Sequence, residues 1–167
     1  MMKRVLSTAS ALAVLALATP CLASTIAAPY GSGTITLDGK NPIAVGLTVT
    51  AQQYSWGMWV NGNVNIMAYA GPFKGVALGR AASVETKTLP DGTVQSVVHT
   101  GPFWYSDLTN WVPGYSSGIK YCWALADVTV LNGKTNSVGF TIYRADNGAL
   151  IASVPPMPVI TGAVPIK

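Results

Sequence analysis

The chain has 167 residues, half of them hydrophobic and 10 % charged, with ten basic and six acidic side chains, one histidine and two cysteines. The charges are scattered singly, which excludes the clustered basic face that nucleic-acid binding needs to neutralise several phosphates. One histidine and two cysteines leave too few ligands for a zinc centre unless close-spaced carboxylates complete it, and none are close-spaced.

Residues 1–23 read as a cleavable secretory signal peptide. Lys3 and Arg4 give a positive start, residues 9–18 form an uncharged apolar run, Pro20 breaks it, and Cys21-Leu22-Ala23 sets small residues before a cut at Ser24. The run is about half the roughly 20 apolar residues a membrane span requires. Pro20, directly before Cys21, also speaks against a lipid anchor there. The expectation is an exported protein, secreted, periplasmic or at the cell surface, with no membrane span after cleavage. Without the leader, eight basic side chains face six acidic ones, and Cys122 is the single thiol left. No intramolecular disulfide can then form, so a core must hold the fold. A chain of this size buries roughly two-thirds of its unfolded surface, enough for one domain.

The punctuation after the leader is that of an all-β protein. Asp38-Gly39, Asn61-Gly62, Asp91-Gly92, Asn132-Gly133 and Asn147-Gly148 separate β-rich runs and supply the φ > 0 residues of tight hairpins. Val45, Leu47, Val49 and Ala51 alternate with Gly46, Thr48, Thr50 and Gln52, the period of a half-buried strand. The prediction is a single antiparallel β-sandwich, or a barrel-like domain, over residues 24–155. The remainder, 156–167, begins within Pro155-Pro156-Met157-Pro158 and is expected at an edge or as an extended arm, because proline donates nothing to a ladder.

Three hairpins can be registered by hand. Around Asp91-Gly92, Val84 opposes Val98, Thr86 opposes Ser96 and Thr88 opposes Val94, while Glu85, Lys87, Gln95 and His99 share a wet face. Around Asn132-Gly133, a two-residue turn pairs Leu125 with Phe140 and Trp123 with Ile142, a dense apolar face expected at the core centre. It leaves Cys122, Ala124, Ala126, Gly139 and Tyr143 on a small, flat reverse face. Around Asn61-Gly62 both faces come out apolar, with Trp59, Val64 and Ile66 on one and Trp56, Met58, Met67 and Tyr69 on the other. Those last four are the candidate partner interface, should that face stay exposed. One echo recurs: Gly71-Pro72-Phe73 and Gly101-Pro102-Phe103 each follow a turn and a strand, as if two hairpins left the sheet by the same corner.

Catalytic templates come up short. His99 falls on a polar face with no evident nucleophile, and Cys122 sits in mid-strand with only Lys120 to activate it. The segments around Asp107 and Asp146 match no calcium-loop pattern. No cofactor or metal is expected. The connection over residues 101–118 stands out, carrying Phe103, Trp104, Tyr105, Trp111 and Tyr115 among Asp107, Thr109 and Asn110. Rings beside hydroxyl and amide groups suit a ligand with an apolar face and polar edges, such as a sugar, and suit protein contacts equally.

Size, export signal and sparse charge resemble bacterial pilin and surface-fibre subunits in a general way. The paired cysteines and the alternating C-terminal strand of the usher-assembled kind are lacking, so no family is assigned. The functional expectation is a non-catalytic domain that recognises a carbohydrate or cell-surface ligand through the aromatic segment. The alternatives are a structural subunit that partners copies of itself in a pilin-like or fibre-like assembly, and a small secreted hydrolase or inhibitor.

Overall fold

The computed structural model describes residues 23–115 and 117–167. The expected signal peptide, Ala23 apart, lies outside them. Thirteen strands follow one another: β1 (Ser24–Ile26), β2 (Tyr30–Thr36), β3 (Pro42–Thr48), β4 (Thr50–Tyr54), β5 (Gly57–Asn61), β6 (Asn63–Ala68), β7 (Gly75–Thr88), β8 (Val94–Thr100), β9 (Phe103–Asp107), β10 (Lys120–Asn132), β11 (Asn136–Arg144), β12 (Leu150–Pro158) and β13 (Thr161–Ala163). All pairings are antiparallel, and the described residues contain no helix.

The main sheet runs β12-β11-β10-β8-β7-β6-β3-β2-β13, with β9 between β10 and β7. Two features close it into a barrel. The β8 line is interrupted at Gly101-Pro102 and resumes as β9, which keeps its place between β7 and β10. At the other end, β12 pairs with β11, and after Val159 and Ile160 the same run becomes β13, which pairs with β2. Each strand line therefore lies beside its neighbour in sequence, and the last returns to the first. Closure covers the outer edge of β2, an edge that would otherwise invite pairing with other chains, while β12 pairs with β11 alone.

The proline-rich tail, expected at an edge or as an arm, is built into this seam. Tyr30 N donates to Pro165 O at 2.9 Å, Ala28 and Lys167 exchange backbone hydrogen bonds, and Val164 is fully buried. Pro155 and Pro156 pass at a bulge opposite Gly139, where a Cβ would meet Pro156 N at 2.5 Å. Their missing N–H groups fall where the ladder is already broken.

The interior is an apolar cluster built largely from alternate residues of the strands, β13 excepted. Ile35, Leu47, Ile66, Val98, Val128, Val130, Val138, Phe140 and Ile142 are all essentially sealed, and Phe73 meets Phe140 edge-on at 5.1 Å between centroids. Each such side chain contributes about 1.5–3 kcal/mol on burial. The alternation read along residues 45–51 holds, since Val45, Leu47, Val49 and Ala51 all point inward.

The Asn61-Gly62 hairpin does not exist. β3 pairs with β6 and β4 with β5 in one unbroken register, so the chain turns at Ser55-Trp56 instead. Gly62 is the corner where this long hairpin bends off the barrel. Its φ is +139°, and a Cβ there would overlap the Thr48 carbonyl oxygen. Beyond the corner, β4 and β5 join β1 in a three-stranded sheet. Ile26, Ala51 and Val60, aligned across it, pack on the core, so the sheet forms a lid over the barrel. Thr86 Oγ1 holds the lid's entry by donating to Ala27 O at 2.6 Å.

The β10–β11 register also differs from expectation. Val128 opposes Phe140 and Ala126 opposes Ile142, with Asn132 paired to Asn136 around a three-residue loop. The Asn136 side chain fixes this loop, donating to Asn132 Oδ1 and Val164 O and accepting from Val164 N. The shift from the two-residue turn is three residues. An odd shift exchanges the faces of a strand. Ala124 and Ala126 are therefore core, and Trp123 stands outside.

Candidate functional site

The exchange of faces assembles an aromatic wall on the outside of the barrel. Trp104 on β9 is the register partner of Trp123 on β10, and the indoles stack with centroids 4.5 Å apart and planes at 29°. Both stay open to solvent, at 56 % and 48 % exposure. β7 pairs with β9 through Ala77 and Tyr105, and one step further along that register Leu78 lies level with Trp104, itself exposed. Asn65 on β6 is the partner of Leu78 on its other side. A second outward row runs alongside: Met67 opposite Val76, Val76 opposite Ser106, and Ser106 opposite Tyr121.

Cross-strand aromatic pairs help to hold two strands together, and part of the wall's purpose is structural. Pairing alone, however, does not call for Leu78 and Tyr121 to extend the same surface. The two rows hold no charged side chain and have an amide (Asn65) and hydroxyls (Ser106, Tyr121) as polar groups; the exposed Arg80, two residues from Leu78 on the same face of β7, borders them. Past Asn65 and Met67 it meets a shallow pocket of about 390 Å³ lined by Gly46, Ala44, Ser32 and Thr34.

The sequence-predicted residues are distributed as follows. Phe103 and Tyr105 alternate with Trp104 on β9, which is a strand and not a loop, and both are buried. Trp111 binds its own loop, donating from Nε1 to Tyr115 O at 2.8 Å and packing against Tyr69 at 6.0 Å. Tyr115 is exposed on that loop. Of the predicted partner interface, Trp56 and Met58 lie on the lid hairpin, Trp56 stacked on Tyr54 at 4.9 Å. Met67 faces outward on β6 and Tyr69 lies beyond its end, so the four do not form one face. Leu78, Tyr121 and Trp123, which extend the wall, carry no local signal in the sequence.

The one histidine has a partner that the sequence hid. His99 Nδ1 lies 2.7 Å from Asp127 Oδ1 across β8 and β10, and Tyr143 Oη donates to Asp127 Oδ2 at 3.3 Å. Burial, then the Asp127 charge, hold the Tyr143 phenol above its usual range. Ser83 is the register partner of His99 on β7, but no hydrogen bond joins the two among the described residues. Ser83, His99 and Asp127 stand in one cross-strand polar row. Among the described residues no group of three or more His, Cys, Asp or Glu side chains is placed to hold a metal ion.

No protein-family model, no curated protein and no solved structure matches this chain.

Proposed function

We propose that the chain is an exported, non-catalytic recognition domain that binds a carbohydrate-like ligand on the barrel wall formed by Leu78, Trp104, Tyr121 and Trp123. The observation that carries this reading is the stacked, half-exposed Trp104–Trp123 pair on adjacent strands of a rigid barrel. Tryptophan offers a broad apolar face at small cost in side-chain freedom, and a sugar presents a face of C–H groups with hydroxyls at its rim. Asn65, Ser106 and the Tyr121 hydroxyl stand where rim hydroxyls need partners. The uncharged wall favours a neutral ligand. Export is supported by the leader-like pattern of residues 1–23.

The test is glycan-array binding by the chain without residues 1–23. Trp104→Ala and Trp123→Ala should each weaken binding at least about tenfold, as the loss of an anchor ring does, with an unchanged circular dichroism spectrum. A glycan that binds both variants as tightly as the parent would remove the wall as the site.

A second reading has its own observation. Trp56 is 70 % exposed at the tip of the lid hairpin with Met58 and Trp59 beside it, and residues 41–73 hold no charged side chain. Such a tip suits assembly with further copies. Concentration-dependent growth in sedimentation, abolished by Trp56→Ser, would favour it.

A further inference from the structure

β10 outruns its partner. Its register with β11 begins at Ala124, and beyond the bond from Ala145 N to Trp123 O, residues 120–122 pair only with β9, which leaves their other side unpaired. Two adjoining pockets open beside this unpaired stretch. One, of about 260 Å³, is lined by Lys120, Cys122, Arg144 and Ile151, and the other, of about 320 Å³, by Lys74 and Phe73. Tyr105, Asp107 and Ile151 belong to both.

Tyr105 is the unexplained member. It is 3 % exposed, yet its hydroxyl has no hydrogen-bond partner among the described residues. No buried side-chain oxygen or nitrogen among them is both sealed from solvent and unpartnered. The hydroxyl therefore reaches the open volume of the pockets. Gly75 makes room for it, since a Cβ there would collide with the Tyr105 phenol. Burial, then the Asp107 charge, hold this phenol above its usual range, so it remains a donor at neutral pH. Open to the pocket, this hydroxyl can exchange water for an acceptor on a bound molecule.

The charges around it select what that is. Lys74, Lys120 and Arg144 face two carboxylates. Asp146 is engaged by Arg144 at 2.6 and 3.0 Å, and Asp107 Oδ1 accepts from the Thr109 N–H and hydroxyl. Neither lysine has a carboxylate within 4 Å among the described residues. The floor is apolar, with Ile151, Phe73 and the Cys122 thiol, which burial keeps above its usual range and so protonated.

We propose that this end of the barrel binds a compact organic anion, with its carboxylate or phosphate head between Tyr105 Oη and the lysines and its apolar body over Ile151. The site adjoins the wall at Tyr121, which lines the smaller pocket, but its head group lies on the inward side: Tyr105 faces inward and Trp104 outward on the same strand.

Calorimetric titration of the chain lacking residues 1–23 with benzoate, benzyl alcohol and benzylamine tests the charge, and modification of Cys122 by methyl methanethiosulfonate tests the location. Benzoate should bind and slow the modification, while the neutral and cationic probes do neither at equal concentration. Tyr105→Phe, which keeps the ring, should weaken benzoate about tenfold, the loss expected for a hydrogen bond to a charged group. Lys120→Gln should weaken it roughly threefold, in keeping with a solvent-exposed ion pair. Equal binding of all three probes, binding without protection of Cys122, an unaffected Tyr105→Phe, or no binding of benzoate would each overturn the proposal. Trp104→Ala should leave benzoate binding unchanged, which separates this site from the glycan reading.

Discussion

Phe103, Trp104 and Tyr105 are consecutive aromatic residues that go to different places. Phe103 and Tyr105 point into the barrel and are buried, whereas Trp104 stands on the wall with half its surface in water. Their composition is alike, and strand parity alone separates them. Whether a ring stabilises the fold or is available to a ligand is therefore a question of register, and the inside and outside of the barrel should respond differently to the same kind of substitution.

The largest contrast concerns truncation. Phe140 is 2 % exposed and packs edge-on against Phe73, so Phe140→Ala should cost about 3–5 kcal/mol, lost transfer energy plus a cavity. Trp104→Ala removes a larger side chain but leaves no cavity, and should cost less than about 1.5 kcal/mol. Urea denaturation of both variants measures the difference. Equal losses would mean that the wall is core in all but accessibility, and would weaken the case for it as a binding surface.

A smaller effect sharpens the comparison between barrel and lid. Gly57 and Gly62 both have strongly positive φ, +145° and +139°, but a Cβ on Gly57 meets nothing within 4 Å, whereas one on Gly62 overlaps the Thr48 carbonyl. Gly57→Ala should cost only the backbone penalty, about 1 kcal/mol. Gly62→Ala adds a collision at the corner and should cost more, about 2–3 kcal/mol. The Gly62 variant should also speed hydrogen exchange at the Ala81 amide, which donates to Gly62 O at 3.0 Å. Equal costs at the two glycines would show that the corner yields, and that the lid is not rigidly set by it.

The errors of the sequence reading follow the same parity. Asp38-Gly39, Asp91-Gly92 and Asn147-Gly148 are left-handed glycine turns as expected, with the Asp38 and Asp91 carboxylates accepting backbone N–H groups. Asn132-Gly133 misled because a dipeptide marks a turn but not its length. The three-residue loop depends on Asn136 binding Val164, a contact 28 residues away. The wrong register could have been recognised, since Asp127 shares the parity of Trp123 and would have been forced into the core with it. Asn61-Gly62 misled because a glycine required at a bend looks the same in sequence as one required in a turn. Trp104 is marked in the sequence by its place in an aromatic run, whereas nothing local marks Trp123 and Leu78 as its neighbours on the wall. They depend on β9 lying between β7 and β10, which no local pattern records.

The smallest expected effect bears most directly on function. If Trp104 and Trp123 only brace β9 against β10, their joint removal should cost less than the sum of the single truncations. The coupling in a Trp104→Ala/Trp123→Ala cycle should then approach the upper range for aromatic pairs, about 1.5 kcal/mol. A pair kept for a ligand is under no such demand. Its rings are half-solvated and β9 is already fixed by backbone pairing on both sides, so the coupling should fall near the low end, about 0.5 kcal/mol. The same cycle repeated on ligand affinity should give the opposite order, with each single truncation removing most of the binding. One indole cannot offer the platform that two form together. Strong coupling in stability joined to weak dependence in binding would assign the pair to the fold alone.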